Sequence, residues 1–511
     1  MTGADESKRL HLAILFFILV LGAVYGLTIR DGADWTDDYA LYIRHAINIA
    51  EGLPYNHDGI PDFATGRVFS YPVGYPLVLA AAYSVFGLDL HVFKWINVVF
   101  LTLFAGLLIA YVRRYRASSN LTVFLLATAC MANPIVWEMK DDVLSDALYV
   151  LLSFLSLCVY EELRCEQRFE RSERLVRMAV LSLALVGAYA TRAVGVVLPI
   201  SILVLEVVRY RRIHLSTAVI LLPFAGFFLL QQFVEGSFPG YVRDSTVTGV
   251  ATIFDPWRWV MKANNYRWLI AGFFSSNKYP MLDTVLFYGL IVAPAAVGYV
   301  SRFVRGLSVL EVYAAGYIAL FMIAHVGNYE RYFVPLFVLL LIYAVEGIAV
   351  LSARVRVDAR YASSIVLALL LGAYGVKYST IRYDDLYAEG IDHPSARALF
   401  HWVESETDKA DVLALQKAFG IGLMTGRRAG QLPLCRTKDC LMRDGDAVWG
   451  YLKRIGASYI ILKKTDWKLT HYLSDKVFSE VFIEPNREYL SRAYDNPDFS
   501  VMRIVRFPAA M

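Results

Sequence analysis

The sequence is poor in charge: Asp, Glu, Lys and Arg make up 19% of its 511 residues, against about 25% in an average soluble protein. Its five cysteines show no CxxC or Cys/His spacing typical of a zinc site. A Walker A lysine, a Gly-x-Gly-x-x-Gly spacing and an HxxxH pair are also missing. These absences argue against a nucleotide-binding enzyme and against a zinc enzyme.

Hydrophobic residues make up 57% of the sequence, and they fall in nearly uncharged blocks long enough to cross a hydrocarbon core of about 30 Å. We therefore predict a polytopic α-helical membrane protein with about 11 transmembrane helices. The first block is too long for the core of a signal peptide, and no A-x-A cleavage site follows it. The predicted spans are residues 10–29, 92–111, 120–137, 144–160, 176–191, 194–208, 215–234, 282–300, 308–326, 332–351 and 361–379.

Basic residues in the connections predict the orientation of these spans, because cytoplasmic loops carry an excess of Lys and Arg. Six basic connections fall on one side when the spans alternate. We expect that side to be cytoplasmic, with the amino terminus inside and the carboxyl terminus outside. The basic groups are Lys8–Arg9, Arg113–Arg114–Arg116, residues 164–177, Arg209–Arg211–Arg212, Arg302–Arg305 and Arg354–Arg356–Arg360.

The predicted domains are a transmembrane domain at 1–379, with outer loops at 30–91 and 235–281, and a soluble extracytoplasmic α/β domain at 380–511. A helical pattern at 395–405 and apolar runs at 411–415 and 459–462 support the α/β prediction, since strands alternate with a helix. Between the two strands, the glycines at 420–426 predict a turn.

Two adjacent acids, Asp37 and Asp38, follow the first predicted span on its outer side. Thr36 or Asp37 would cap a helix that runs from Asp38 to about Ala50, which explains one acid but not two. Adjacent carboxylates also suit a divalent cation such as Mg²⁺ or Mn²⁺, or the removal of a proton from an attacking hydroxyl. The residues alone leave these alternatives open.

A third acid, Asp146, lies in the helical register of the fourth predicted span, after Lys140, Asp141 and Asp142. Asp141 and Asp142 are consistent with ordinary interfacial charges. A carboxylate at position 146 is favoured by the helix dipole, but acids within membrane spans are candidates for functional sites. We therefore include Asp146 among the candidate catalytic residues.

Two arginines lie on the predicted outer side, where positive charge is otherwise depleted. Arg192 follows Thr191 in a short turn, and Arg331 follows Glu330 at the start of the tenth predicted span. Snorkelling explains Arg192 and an ion pair with Glu330 explains Arg331. The alternative is that both guanidinium groups bind a phosphate.

The segment Tyr71-Pro72-Val-Gly74-Tyr75-Pro is consistent with a turn made rigid by two prolines. The acid pair, this segment, Asp146 and Arg331-Tyr332 follow one another along the chain. This order of motifs resembles that of the GT-C superfamily of integral-membrane glycosyltransferases. In particular, it resembles the bacterial relatives of protein O-mannosyltransferase and of aminoarabinose transferase. The resemblance covers about residues 10–350.

The resemblance implies roles for these residues. Asp37 matches the acid that serves as base or as metal and substrate anchor, Asp38 matches its acidic neighbour, and Asp146 matches an acid of the same cavity. Arg192 and Arg331 fall where basic residues meet the lipid phosphate. One departure is that aminoarabinose transferase has Lys-Pro near the position where this chain has Tyr71-Pro72. Substitutes for that lysine are Arg67 and Lys140.

The expected function is that of a hexosyl- or pentosyltransferase of the bacterial inner membrane and cell envelope. It would move a sugar with inversion from a polyprenyl-phosphate donor to a glycan, lipid or protein acceptor on the outer face, without a nucleotide or nucleic acid. A lipid or sugar transporter or flippase is one alternative, although charges near mid-membrane and internal repeats would then be expected. A non-catalytic membrane scaffold is the other alternative.

Cys435 and Cys440 are the only cysteines that the predicted topology places in an oxidising compartment. Four intervening residues allow a turn that brings the two Cα atoms within about 6 Å, as a disulfide requires. We predict a bridge between them. A membrane-impermeant thiol reagent applied to intact cells should label both positions only after reduction. Labelling without reduction would disprove the bridge, and labelling of Cys165 from outside would show that the orientation is inverted.

Overall fold

The computed structural model describes residues 3–35, 37–63, 66, 68–115, 119–165, 170–233, 255–323, 330–381, 390–432, 445–464 and 475–508. Within these residues the chain is mostly helical and contains one five-stranded sheet. It divides into two compact units. Unit 1 consists of Met1–Arg30, Pro72–Tyr75 and His91–Arg382, and unit 2 consists of Asp31–Tyr71, Pro76–Leu90 and Tyr383–Met511.

Most of the chain before the sheet is helical, with a π-helical stretch at Val285–Val292 and 3₁₀ turns at Ala193–Val196 and Glu330–Phe333. The α-helices are α1 (Gly3–Leu27), α2 (Asp37–Ala50), α3 (Gly74–Phe86), α4 (Leu90–Tyr115), α5 (Asn120–Met131), α6 (Pro134–Glu138), α7 (Asp146–Cys165), α8 (Arg171–Thr191), α9 (Val197–Tyr210), α10 (Leu215–Phe233), α11 (Pro256–Gly272), α12 (Pro280–Thr284), α13 (Ala293–Arg305), α14 (Val309–Ile323), α15 (Val334–Val355) and α16 (Ala359–Thr380).

Seven helical stretches among the described residues are long and apolar enough to cross a membrane. The prediction of a polytopic helical membrane protein is therefore confirmed. Among the described residues the predicted spans fall on helices, one of them on two successive helices, while the exact number of spans remains a prediction. The seven stretches are Leu10–Leu27, Leu90–Tyr115, Arg171–Thr191, Ala193–Tyr210, Pro280–Arg305, Glu330–Val355 and Ala359–Thr380.

The predicted span at 120–137 is interrupted, because α5 ends at Met131 and α6 begins at Pro134. The Asn133 side chain caps α6 by accepting the Ile135 N–H at 3.0 Å. A proline has no N–H to donate and is favoured in the first turn of a helix. The Asn-Pro pair therefore ends one helix and starts the next.

A buried ionic network in unit 1 fixes the segment that precedes α7. Asp141 accepts hydrogen bonds from the Arg30 backbone N–H at 2.8 Å, from Arg30 Nε at 3.0 Å and from Lys140 Nζ at 2.6 Å. Lys140 also donates to the Thr28 carbonyl at 2.5 Å, and Lys94 donates to the Arg30 carbonyl at 2.5 Å. Asp141 therefore anchors the end of α1 and is not an ordinary interfacial charge.

Replacing Asp141 by Asn should destabilise the protein by about 3–5 kcal/mol, because an amide cannot offset the charges of Lys140 and Arg30. The loss should appear as a lower unfolding temperature of the purified protein. Asp358→Asn is the matched control, since Asp358 also pairs with an arginine but its side chain is 36% exposed. Equal effects of the two substitutions would contradict a special role for the buried network.

Unit 2 contains a mixed five-stranded sheet in the order β2-β1-β3-β5-β4. β1 runs parallel to β2 and β3, whereas β5 is antiparallel to β3 and β4. The predicted helix and both predicted strands of this region are confirmed. The elements are α17 (Pro394–Glu406), β1 (Val412–Leu415), α18 (Ala418–Thr425), β2 (Arg428–Gln431), α19 (Gly445–Ile455), β3 (Ala457–Lys463), α20 (Asp475–Phe478), β4 (Leu490–Asp495) and β5 (Phe499–Ile504).

The glycine turn predicted at 420–426 is wrong for residues 420–425, because they belong to helix α18. The helix ends at Thr425, and Gly426 caps it in a left-handed conformation with φ of +65°. Among these glycines, only Gly426 acts as predicted for a turn. An added Cβ at Gly422 would lie 3.1 Å from the Arg427 carbonyl oxygen and 3.2 Å from the Ala429 Cβ. Close packing of α18 on the segment that leads into β2 therefore favours a glycine at this position.

The compact units also differ from the predicted domains. The prediction grouped the outer loop at 30–91 with the transmembrane helices, whereas Asp31–Tyr71 and Pro76–Leu90 belong to the unit that contains the sheet. The reason is the packing of α2 on α18. Cys435 and Cys440 lie outside the described residues, so their bridge remains a prediction.

Candidate functional site

The first candidate site is a charged cluster in unit 1, formed by Asp146, Arg192, Arg331 and Tyr332 and called here the Asp146 cluster. Asp146 is the first residue of α7, Arg192 follows the last residue of α8, and the 3₁₀ turn before α15 carries Arg331 and Tyr332. Arg192 Nη1 donates to Asp146 Oδ1. Arg331 Nε lies 4.0 Å from Asp146 Oδ2. One carboxylate therefore accepts a hydrogen bond from one guanidinium group and lies at ion-pair distance from a second.

The aromatic ring of Tyr332 completes the cluster. The guanidinium carbon of Arg192 lies 4.6 Å from the ring centroid, and that of Arg331 lies 5.5 Å from it. Both distances are within the range of a cation–π interaction. The arginine side chains are 16% and 22% exposed and that of Asp146 is 6% exposed. The cluster thus presents a surplus of positive charge in a largely desolvated place.

The turn that carries Arg192 is held by two glycines of unit 1. A Cβ added to Gly74 would lie 2.7 Å from the Ala190 carbonyl carbon and 2.8 Å from the Thr191 nitrogen. A Cβ added to Gly195 would lie 2.7 Å from the Ala188 carbonyl carbon. Real Cβ atoms do not approach other atoms so closely, so only glycine fits at either position. Gly74, which the sequence placed in a supporting loop, packs directly on the turn before Arg192.

The same loop is tied to the segment before α7. Tyr75 is buried, and its hydroxyl donates to Asn97 Oδ1 at 3.0 Å. Asn97 Nδ2 in turn donates to the Asp142 carbonyl at 2.5 Å and to the Met139 carbonyl at 3.3 Å. Asn97 was not predicted from the sequence. An amide in the middle of an apolar helix could have indicated a buried hydrogen bond, because buried polar groups need partners. Pro72 of the same loop is also buried.

Two further residues had been predicted as phosphate ligands. The Lys140 side chain is fully buried, and its ammonium group is held by Asp141 and Thr28. Its predicted role as a phosphate ligand is therefore not supported, because its hydrogen bonds stabilise the fold instead. Arg67 lies outside the described residues.

The second candidate site is Asp37, the first residue of α2 in unit 2. Its Oδ1 accepts the Phe419 N–H at 3.2 Å, and its Oδ2 accepts Gln431 Nε2 at 3.4 Å. Lys417 Nζ lies 3.7 Å from Oδ2. Lys417 and Gln431 were missed by sequence reasoning. The signal for Lys417 was its place just after the predicted strand β1, since ligand-binding residues of α/β sheets are common at the carboxyl ends of strands. Gln431 gave no such signal, because β2 was not predicted.

Asp38 faces a different set of residues in unit 2. The Tyr71 hydroxyl donates to Asp38 Oδ1 at 2.6 Å, and the Tyr71 ring stacks on Tyr42 with ring centroids 4.2 Å apart. The Tyr71 N–H donates to His45 Nε2 at 3.4 Å. Burial lowers the pKa of His45 to about 4, so its ring is neutral and suited to accept that hydrogen bond. Asp38, Tyr42 and His45 form one helix face that holds Tyr71.

The two adjacent acids therefore do not form a pair. Consecutive helical residues point about 100° apart, so Asp37 turns towards α18 and Asp38 turns towards Tyr71. No group of three His, Cys, Asp or Glu side chains suited to a metal exists among the described residues. With a lysine beside Asp37 and a tyrosine on Asp38, the donor set does not fit a divalent cation. The Mg²⁺ or Mn²⁺ alternative therefore enters no step proposed below.

The environment of Asp37 changes its acidity. Burial raises the pKa of Asp37 to about 7, although Lys417 and the Phe419 N–H lower it, and the charges of Asp38 and Asp34 raise it further. A carboxyl group that titrates near neutral pH can both accept and return a proton. Asp37 is therefore a better candidate for general acid–base chemistry than an exposed aspartate.

Comparison with known proteins gives the fold a wider context. Neither a family model nor a curated protein sequence matches this chain. Solved structures do match it. ArnT from Cupriavidus metallidurans in the apo state superposes with a TM-score of 0.58 at 14% identity, over 96% of this chain and 97% of that one.

Two other structures agree. ArnT bound to undecaprenyl phosphate gives a TM-score of 0.56 at 12% identity, over 96% of this chain and 97% of that one. The oligosaccharyltransferase of Archaeoglobus fulgidus, tethered to an acceptor peptide, gives 0.53 at 12% identity over 97% of this chain and 75% of its own. These proteins are GT-C membrane glycosyltransferases. The chain has the GT-C fold. The resemblance to the GT-C superfamily drawn from the sequence is thus confirmed at the level of the fold. Sequence identities of 12–14% establish the fold but not the activity.

The titration of Asp37 within this GT-C fold is directly measurable. A ¹³C NMR titration of the labelled carboxyl group should give a midpoint near pH 7. Lys417→Met removes a positive charge that favours the ionised form, so the midpoint should move to higher pH. Lys464→Met is the control, since Lys464 pairs with Asp495. A midpoint that stays in place in Lys417→Met would contradict the assigned coupling.

Proposed function

We propose that this chain is a membrane glycosyltransferase that moves a sugar from a polyprenyl-phosphate donor to an acceptor hydroxyl. The observation that carries the proposal is the Asp146 cluster, in which one carboxylate holds two arginines in a largely buried position. The GT-C fold supports the class of reaction. The inner membrane and the outer face remain the expected location.

The phosphate of the donor is the group for which the Asp146 cluster is suited. A guanidinium fork matches the geometry of phosphate oxygens and forms strong charge-assisted hydrogen bonds. Asp146 offsets part of the positive charge and sets the direction of both arginines before a ligand arrives. The structure of ArnT with undecaprenyl phosphate supports a lipid phosphate as the ligand class for this fold.

In the proposed reaction, the acceptor oxygen attacks the anomeric carbon of the sugar. A new carbon–oxygen bond forms while the bond from that carbon to the phosphate oxygen breaks, with inversion. The polyprenyl phosphate leaves with the bonding electron pair, and Arg192 and Arg331 stabilise its developing charge. The proton of the acceptor hydroxyl passes to a carboxylate.

Asp37 is the carboxylate to which we assign that proton. Its raised pKa favours proton uptake near neutral pH, and general-base catalysis contributes about 10²–10⁴-fold to the rate. Lys417, Gln431 and the Phe419 N–H hold its two oxygens in place. Asp38 is a positioning residue in this scheme, because its carboxylate holds Tyr71.

Two variants test the two parts of the proposal. Asp37→Asn should lower the transferred sugar by at least about 100-fold, because an amide takes up no proton, and it should leave binding of undecaprenyl phosphate unchanged. Arg192→Ala should weaken that binding by at least about tenfold, which corresponds to about 1.4 kcal/mol, and Arg192→Lys should restore it in part. Mass spectrometry of envelope glycans, with and without the protein, measures transfer.

Arg360→Ala is the matched control for Arg192→Ala, because Arg360 also pairs with an aspartate but its side chain is 70% exposed. It should change neither readout. Near-normal transfer in Asp37→Asn would show that Asp37 is not the base. Unchanged binding of undecaprenyl phosphate in Arg192→Ala would return Arg192 to a snorkelling role.

A further inference from the structure

Unit 2 contains a cleft whose lining residues have not been assigned a role above. One wall is formed by Ala40, Leu41 and Arg44 of α2, and the opposite wall by Gly422 of α18 and Arg428 of β2. Asn56, His57 and Asp58 and the rings of Phe69 and Phe419 complete the lining.

The charges that line this cleft are mostly positive. Among the described residues of the lining, three arginines, Arg44, Arg427 and Arg428, accompany one acid, Asp58. The charge of Glu51, outside the lining, also acts on Arg44. Arg427 is buried, and its guanidinium donates to the Val403, Glu404 and Thr407 carbonyls. These bonds explain Arg427 as a support of the fold. Arg44 and Arg428 remain to be explained.

Arg44 and Arg428 have donor capacity left for a ligand. Within the part of the chain that the structure describes, Arg44 makes one hydrogen bond, from Nη2 to the Gly422 carbonyl at 2.8 Å. Arg428 Nε lies 4.0 Å from Asp58 Oδ1, and its side chain is 43% exposed. Since a guanidinium group carries five N–H donors, most of those on these two arginines are available. Two such groups in one cleft suit an oxyanion.

Other groups in the cleft suit a saccharide. Asn56 Oδ1 is buried and accepts no hydrogen bond from any described residue, and the partly exposed His57 adds a second polar edge. Phe69 and Phe419 add apolar surface to the lining. A sugar ring combines polar hydroxyl edges with apolar C–H faces, so planar polar groups beside aromatic rings match it better than they match a bare anion.

The position of the cleft along α2 connects it to Asp37. Asp37, Leu41 and Arg44 follow the i, i+4, i+7 spacing of one helix face. Seven residues at 1.5 Å each separate Asp37 from Arg44 by about 10 Å along the axis. The cleft therefore lies on the same face of α2 as the carboxylate to which the acceptor proton was assigned.

We infer that this cleft binds an acidic saccharide, with a phosphate or carboxylate group held by Arg44 and Arg428, as part of the acceptor. The identification of this saccharide as the acceptor rests on the proposed function, but its binding to the cleft does not require sugar transfer. It identifies the acceptor class as an anionic glycan. The charged group lies about two helical turns from Asp37.

The test uses the purified full-length chain and glucose 6-phosphate as the probe, with glucose and inorganic phosphate as comparisons, by calorimetry or ligand-observed NMR. Glucose 6-phosphate should bind more tightly than either comparison compound. Arg428→Ala and Arg44→Ala should each weaken it by about tenfold or more, as expected when one charge-assisted contact is lost. Arg44→Lys keeps the positive charge and serves as the second variant should Arg44→Ala not fold.

Arg492→Ala is the control for charge removal, because Arg492 lies exposed on β4, and it should not change binding. The inference is overturned if glucose 6-phosphate does not bind, if inorganic phosphate binds equally well, or if the Arg44 and Arg428 variants bind as the parent does. Asp37→Asn separates the two proposals. If Asp37→Asn retains full transfer while Arg428→Ala no longer binds glucose 6-phosphate, the binding role of the cleft is supported and the catalytic role of Asp37 is contradicted.

Discussion

A carboxylate shared by two guanidinium groups is the constraint around which unit 1 is organised. Two arginines in a poorly hydrated place repel one another and lose hydration, and Asp146 offsets both costs by pairing with them. The glycines at 74 and 195 set the turn that carries Arg192, because any side chain there would meet backbone atoms. Asn97 and Asp141 fix the segment that leads into α7. Several unrelated sequence features thus serve one arrangement of charge.

Much of unit 1 was predictable, because a membrane imposes strong rules on sequence. Apolar runs give the helices, since the backbone must satisfy its own hydrogen bonds in lipid. Charges such as Asp146, Arg192 and Arg331 stand out against those runs. That contrast identified the charged residues of the Asp146 cluster, but it did not show that their side chains lie close together in the fold. By the same rule Lys140 also stood out, and its burial against Asp141 shows that a charge near a span can serve folding rather than ligand binding.

Unit 2 was less predictable, because its contacts join distant parts of the chain. Asp37 and the Phe419 N–H that it accepts are 382 residues apart, and no local pattern reports such a contact. Neighbours in sequence were also read as neighbours in space, although a helix directs Asp37 and Asp38 to different faces. The sheet itself followed from two apolar runs, while β2, which supplies Gln431, is too short and too polar to stand out. The glycines at 420–426 were interpreted as a turn, whereas residues 420–425 are helical and Gly422 packs closely on the segment that leads into β2.

The register of α2 has a consequence for how this segment can change during evolution. Every residue added or removed between Asp37 and Arg44 would rotate one end of the helix by about 100° relative to the other. Arg44 would leave the cleft, or Asp38 would replace Asp37 beside Lys417. Changes in length within this segment would therefore disrupt the arrangement. Homologues that keep it should preserve the residue count between Asp37 and Arg44.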